Sequence, residues 1–207
     1  MKIDLCKHYF SETIGTFILA AVVLISLTPS TPFPIPTPIA AALTLTLCVY
    51  LFGDISGCHI NPAVSFAMLI AKKITPKIFI FYLISQLIGA FLAYLMIKIY
   101  VLPGQEKWLV INHSTLYSGV GEAIGTAFFI FGVVATQYLK PNKIITPIIV
   151  GLSLLTGITI SHNASYGVLN PAVAFATKAW SWHYLLMPFL GAIIGAILAK
   201  FIFDSGT

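Results

Sequence analysis

Two stretches write the same polar interruption into an apolar chain: "HINPAV" at 59–64 and "VLNPAV" at 168–173, with Asn61 and Asn170 109 residues apart. A side-chain amide offers two N–H donors and a carbonyl acceptor, without charge. That chemistry suits holding a passing neutral oxygen or nitrogen, not making or breaking bonds. The second recurring pair is Glu12 and Glu122, 110 apart, inside "SETIGTFIL" and "GEAIGTAFF". A carboxylate within an apolar run has two uses. It relays protons in a coupled transporter, or it accepts hydrogen bonds from loop backbone that has no helical partner. The duplicated placement favours scaffolding, and His59 is assigned to the same buried network. Cys58, three before Asn61, is a candidate mercurial-reactive thiol facing an inner vestibule; the alternative is an inert buried thiol. His162 places a titratable ring near an outer mouth or simply caps a helix. No metal-ligand spacing or nucleophile elbow is present, so no catalytic residue, metal or cofactor is expected, and the chain does not read as an enzyme.

The elements that must position these residues follow from composition. The 207 residues are 58% hydrophobic and only 8% charged. Soluble domains carry about a quarter charged residues, so much of this surface faces lipid. The net charge is +5, with all eleven basic residues lysine and scattered; nothing suggests nucleic acid. The odd count of three cysteines argues against a disulfide framework.

Apolar stretches long enough to cross a bilayer fall near 10–28, 36–54, 77–100, 118–139, 144–162 and 182–203. The first reads on as a span, not as a cleaved leader. Two shorter pieces, 62–71 and 171–179, follow the two Asn-Pro-Ala triplets: Pro62 with Ala63, and Pro171 with Ala172. Asn caps a helix and Pro suits its first position, so both read as re-entrant half-helices. Non-helical backbone at membrane depth is tolerated only where it lines a cavity or is buried in protein. With the N-terminus cytoplasmic, Lys2, Lys7, Lys72, Lys73, Lys77, Lys140, Lys143 and Lys200 lie inside and Lys98, Lys107 and Lys178 outside, as the positive-inside rule requires. The Pro-rich segment 28–38 is a stiff outer loop. Asp54 is a solvated cap at the cytoplasmic edge. Gly15, Gly89, Gly125, Gly191 and Gly195 read as close helix contacts. Trp108, Trp180, Trp182 and Tyr184 read as an interfacial belt.

The expected fold is therefore an all-α membrane protein, a single channel domain over 1–207. It holds six transmembrane helices and two half-helices in inverted repeats of approximately 1–105 and 106–207. Each half has three spans, so the second inserts upside down. The half-helix N-termini then meet near the midplane, each with partial positive charge and unpaired N–H groups.

The double Asn-Pro-Ala motif resembles the aquaporin (major intrinsic protein) family. "ETIGTF", "SGCHINPAV", "SQLIGAFLA" and "PFLGAIIGA" resemble it too. The resemblance implies a narrow pore in each subunit, usually of a homotetramer, passing water and small neutral permeants. It also places a selectivity constriction at four positions counted from the asparagines: Ala41, Ile158, Gly167 and Val173. The family usually has Arg at the last position. Here the set is small, apolar and uncharged, which either admits solutes larger than water or, by dewetting, makes a barrier. Water is the default permeant, with glycerol, ammonia or hydrogen peroxide as the alternatives that the missing Arg opens. Proton exclusion is expected to be weaker than in Arg-bearing relatives; a pH-sensitive dye in proteoliposomes reads the leak, and no leak would count against it. The other readings are a proton-coupled transporter using Glu12 and Glu122, and a poorly conducting structural membrane protein. Short loops and the all-lysine basic usage point to a bacterial inner membrane, with both termini cytoplasmic.

Overall fold

The computed structural model describes residues 5–28, 34–101 and 115–204. The described residues form helices α1 (Leu5–Ser26), α2 (Thr37–Ser56), α3 (Pro62–Ile70), α4 (Pro76–Tyr100), α5 (Leu116–Leu139), α6 (Ile145–Ser161), α7 (Pro171–Ala176), α8 (Trp182–Leu185) and α9 (Met187–Phe203). Five helical stretches are long and apolar enough to cross a bilayer, counting Trp182–Phe203 as one, and α6 adds a 17-residue apolar helix. Such a length is at the short end of what spans a hydrocarbon core.

The burial pattern inverts that of a soluble protein. On α4, Ile80, Ile84, Ile88, Phe91, Leu95 and Ile99 form an exposed apolar stripe at helical spacing. The opposite face buries Tyr82, Ser85, Gln86, Gly89 and Ala93. Large apolar side chains face outward and small or polar ones inward, because hydrocarbon rewards the first and internal partners satisfy the second.

The packing is symmetric. α1 packs on α2 and α4, as α5 packs on α6 and α9. α2 meets α6 across the two halves, and each half-helix also crosses over: α3 lies against α9, and α7 against α4. Close approach is set by missing side chains. A Cβ on Gly89 would run into the Thr13 carbonyl oxygen, and one on Gly191 into that of Ala123. Gly89, Gly125, Gly191 and Gly195 make the close helix contacts expected from sequence, bringing α4 onto α1, α5 onto α6 and α9 onto α5, whereas Gly15 instead makes room for Ile60 of the first loop.

Both half-helices start and stop alike. Asn61 and Asn170 are the N-caps, each with Pro in the first helical turn. Both end in a Schellman motif. The Lys73 N–H donates to the Met68 carbonyl at 2.8 Å, past Lys72 at φ +57°. The Ala179 N–H donates to the Ala174 carbonyl at 2.9 Å, past Lys178 at φ +58°. These bonds satisfy carbonyls that a terminated helix leaves open.

Several expectations need correction. The second half-helix stops at Ala176, short of 179, because the Schellman turn closes there. The last span is not one continuous helix: Leu186 separates α8 from α9. Pro188, in the first turn of α9, cannot donate a helical hydrogen bond back to the preceding turn. Tyr184 does not belong to an interfacial belt; it is fully buried with Ala174 and Ala179. Trp180 and Trp182 are 64% and 50% exposed, compatible with the belt, whereas Trp108 lies outside the described residues. Asp54 is exposed but paired, its carboxylate 2.6 Å from the Lys143 ammonium. The hydrogen bond from Lys143 to Asp54 holds its ammonium pKa above the ordinary value.

Candidate functional site

Between α2 and α3 the chain runs unwound through Gly57, Cys58 and Ile60, all at positive φ (+86°, +48° and +40°). Positive φ costs a side-chain-bearing residue on the order of 1 kcal/mol, so something must hold this loop. Glu12 does so, from α1. Its Oε1 accepts from the His59 N–H at 2.8 Å and the Ser56 hydroxyl at 2.7 Å; its Oε2 accepts from the Ile60 N–H at 2.6 Å and the Gln86 amide at 2.8 Å. Gln86 also donates to Ser65 Oγ at 2.9 Å, and His59 Nδ1 lies 3.1 Å from the same hydroxyl. His59 thus joins the Glu12 network through both its backbone and its ring.

The second half repeats the device with fewer parts. Glu122 Oε1 accepts from the Ser165 hydroxyl at 2.8 Å and the Val168 N–H at 3.0 Å; Oε2 accepts from the Leu169 N–H at 2.7 Å. The serines do the same secondary job, accepting from the Cys58 N–H at 3.0 Å and the Gly167 N–H at 2.9 Å. Both carboxylates are fully buried. In this arrangement their oxygens accept from the loops and, for Glu12, also from Ser56 at the end of α2 and Gln86 on α4.

The two asparagines lock the loops to each other. Asn61 Nδ2 donates to the Leu169 carbonyl at 2.9 Å, and Asn170 Nδ2 donates to the Ile60 carbonyl at 3.0 Å. Each Oδ1 caps its own half-helix: Asn61 accepts from the Ala63 N–H at 2.8 Å, and Asn170 from the Ala172 N–H at 3.0 Å and the Val173 N–H at 3.3 Å. One N–H of each amide is spent across the interface, which leaves one more per residue. Both asparagines are buried, with 3% of Asn61 and 4% of Asn170 exposed.

One cavity borders this pair directly, and a second lies beside the first loop. The first, about 240 Å³, is lined by Asn61, Asn170 and all four residues of the expected constriction: Ala41, Ile158, Gly167 and Val173. Gly167 is needed there. It sits at φ +62°, and a Cβ would come within 3.0 Å of Ile158 Cγ2 and 2.8 Å of Ser161 Oγ. His162, Tyr166 and Thr37 supply polar groups to the same wall. The second cavity, about 200 Å³, is lined by Ser56, Gly57, Cys58 and His59 from the first loop. Leu45, His59 and Phe129 line both, so the cavities adjoin at the level of these three side chains. Each cavity is far larger than a single water requires.

Sequence reasoning had not singled out Ser56, Ser165, Gln86, Leu45 or Phe129. The serines were findable, being 109 residues apart like the asparagines. Phe129 stands 110 after Leu19, and both line the first cavity.

Cys58 is buried and lines the second cavity, whereas Cys48 is buried and lines neither, and Cys6 is exposed at the start of α1. Mercurial inhibition of flux is therefore expected to vanish in Cys58→Ser and to persist in Cys6→Ser. Stopped-flow permeability before and after mercurial treatment checks this; undiminished inhibition in Cys58→Ser would remove Cys58 from the permeation route.

The family model described as major intrinsic protein matches residues 1–203. A protein of Lactiplantibacillus plantarum named glycerol uptake facilitator protein-like 6 is 30% identical over 213 residues, covering 94% of this chain and 97% of that protein. A probable aquaporin of Archaeoglobus fulgidus is 27% identical over 243 residues, covering 99% and 98%. Among solved structures, an aquaglyceroporin from Plasmodium falciparum superposes with a TM-score of 0.74 at 18% identity, covering 97% of this chain and 96% of that one.

Proposed function

This chain belongs to the major intrinsic protein family, and we propose that its form of passive channel admits, besides water, uncharged solutes up to about the size of glycerol. The observation that carries this reading is the convergence of Ala41, Ile158, Gly167 and Val173 on one cavity beside Asn61 and Asn170. No Lys or Arg side chain narrows that wall among the described residues. The remaining N–H of each asparagine donates to the oxygen of a passing solute, while the apolar wall admits its carbon skeleton. The name of the Lactiplantibacillus plantarum relative, a glycerol uptake facilitator-like protein, supports the same permeant class.

The route runs from the first cavity, past the asparagines, to the second. Ala41, Ile158, Gly167 and Val173 set permeant size; Glu12, Glu122 and His59 hold the loops. The chain forms one channel domain from two inverted repeats. It works in the plasma membrane as a homotetramer with both termini cytoplasmic, a topology supported by the lysine distribution. The second cavity then opens inward.

Coupling to protons is the competing mechanism, and the carboxylate geometry speaks against it, because Glu12 and Glu122 are engaged behind the loops. Glycerol flux into proteoliposomes tests the choice. The rate is expected to be the same with and without an imposed pH gradient. Acceleration by an inward proton gradient would replace the channel reading with coupled transport.

A further inference from the structure

Across the walls of both cavities, the described residues include one permanently charged side chain. The first cavity is lined by no Lys, Arg, Asp or Glu, and the second by Lys73 alone of these types. Its position is fixed by the end of α3. Lys73 is the residue whose N–H closes the Schellman motif onto Met68, and its ammonium lies 5.8 Å from the centroid of the Tyr138 ring at the end of α5. Thr136 and Gln137, from the same turn as Tyr138, line the cavity with it. That cation–π contact restrains the charge at the cavity wall.

The second half lacks an equivalent. α7 also ends beside a lysine, yet the Lys178 ammonium sits 5.1 Å from the Tyr94 ring centroid and lines neither cavity. Nor is Lys73 neutralised by an ion pair among the described residues. Asp54, near the end of α2, is engaged by Lys143 at 2.6 Å. The Glu12 carboxylate accepts four hydrogen bonds from behind the loop.

We propose that Lys73 is a charge-selectivity residue: its ammonium at the second cavity repels protons and metal cations, while neutral molecules pass it. This rests on the channel reading above. A unit charge several ångströms from the route, partly screened by water, opposes another cation strongly enough to change its passage roughly three- to thirtyfold. Low-dielectric walls sharpen the effect. With no Lys or Arg lining the first cavity, the cation barrier stands at the opposite end from where an arginine after the second Asn-Pro-Ala would put it.

The test uses the full chain in proteoliposomes, as wild type, Lys73→Gln, Lys73→Met and Lys73→Arg. Water permeability is read by light scattering. Proton influx, driven by a potassium diffusion potential with valinomycin, is read by an internal pH dye. The neutral variants are expected to leak roughly three- to thirtyfold more protons than wild type with unchanged water flux. Lys73→Arg is expected to match wild type. The excess leak is expected to shrink in molar salt, where the Debye length falls to about 3 Å. Wild-type leak in either neutral variant that conducts water overturns the proposal. Loss of water flux in both would make Lys73 a structural residue and overturn it as well. Absence of water flux in the wild type would instead refute the channel reading.

Discussion

Replacing Glu12 with alanine is expected to abolish the folded channel. The carboxylate accepts four hydrogen bonds from buried groups, two of them the backbone N–H groups of His59 and Ile60. Each orphaned buried donor costs about 1–3 kcal/mol. Allowing for partial rearrangement, the loss is about 3–6 kcal/mol, a large share of the ~5–15 kcal/mol that holds a typical protein folded. The loop would also lose what offsets its positive-φ residues. The checks are the melting temperature in detergent and water permeability after reconstitution. Glu12→Gln is the informative companion. It preserves shape but turns one acceptor into an NH2 group facing N–H donors. If Glu12 scaffolds, this variant also melts early and conducts poorly. If Glu12 were a proton relay, Glu12→Gln would fold normally and lose only the pH dependence of transport. Glu122→Ala is expected to cost somewhat less, since three bonds depend on it.

Ala41→Phe is expected to close the channel to glycerol while leaving water a path. Ala41 is buried at the wall of the first cavity, together with Ile158, Gly167 and Val173. A ring in place of a methyl would fill part of the cavity that these residues line. Glycerol permeability should fall about tenfold or more, equivalent to at least ~1.4 kcal/mol of added barrier, and water permeability should fall less. The ratio of the two in one preparation separates a size effect from a folding defect. An unchanged ratio would mean that the four-residue set does not select by size.

Much of this site could be read from one chain because duplication writes its symmetry into the spacing. Asn61 and Asn170, like Glu12 and Glu122, announce themselves by recurring at nearly one offset in an otherwise apolar text. Even Ala41, whose placement depends on helix register, reaches the expected cavity, because an uninterrupted helix carries register faithfully from the loop back to it. What escaped notice lacked a repeat or a local signal. Gln86 supports only the first loop, and nothing in an apolar helix shows which way a lone amide points. Tyr184 has the composition of a boundary residue, but the turn after α7 covers it. The break at Leu186 is the exception: it follows from Pro188, whose missing N–H is legible in the sequence, although the apolar run through it reads as a continuous span. Lys73 reads as one more orienting lysine until the fold places it beside a cavity.

The asymmetry between the two loops has a physical sense. The first loop bears three residues at positive φ, two of them with side chains, and Glu12 with Gln86 holds it. The second bears two, one of them glycine, and Glu122 with Ser165 is enough. The more strained segment carries the larger network.

The most direct measurement is stopped-flow light scattering on proteoliposomes, with shrinkage in an impermeant osmolyte followed by re-swelling in glycerol, against protein-free vesicles. Shrinkage and re-swelling both faster than in the protein-free vesicles are expected from a passive channel with an apolar, uncharged constriction. Fast shrinkage without glycerol entry would contradict the size assignment of Ala41, Ile158, Gly167 and Val173. Rates equal to those of protein-free vesicles for both would contradict the channel itself.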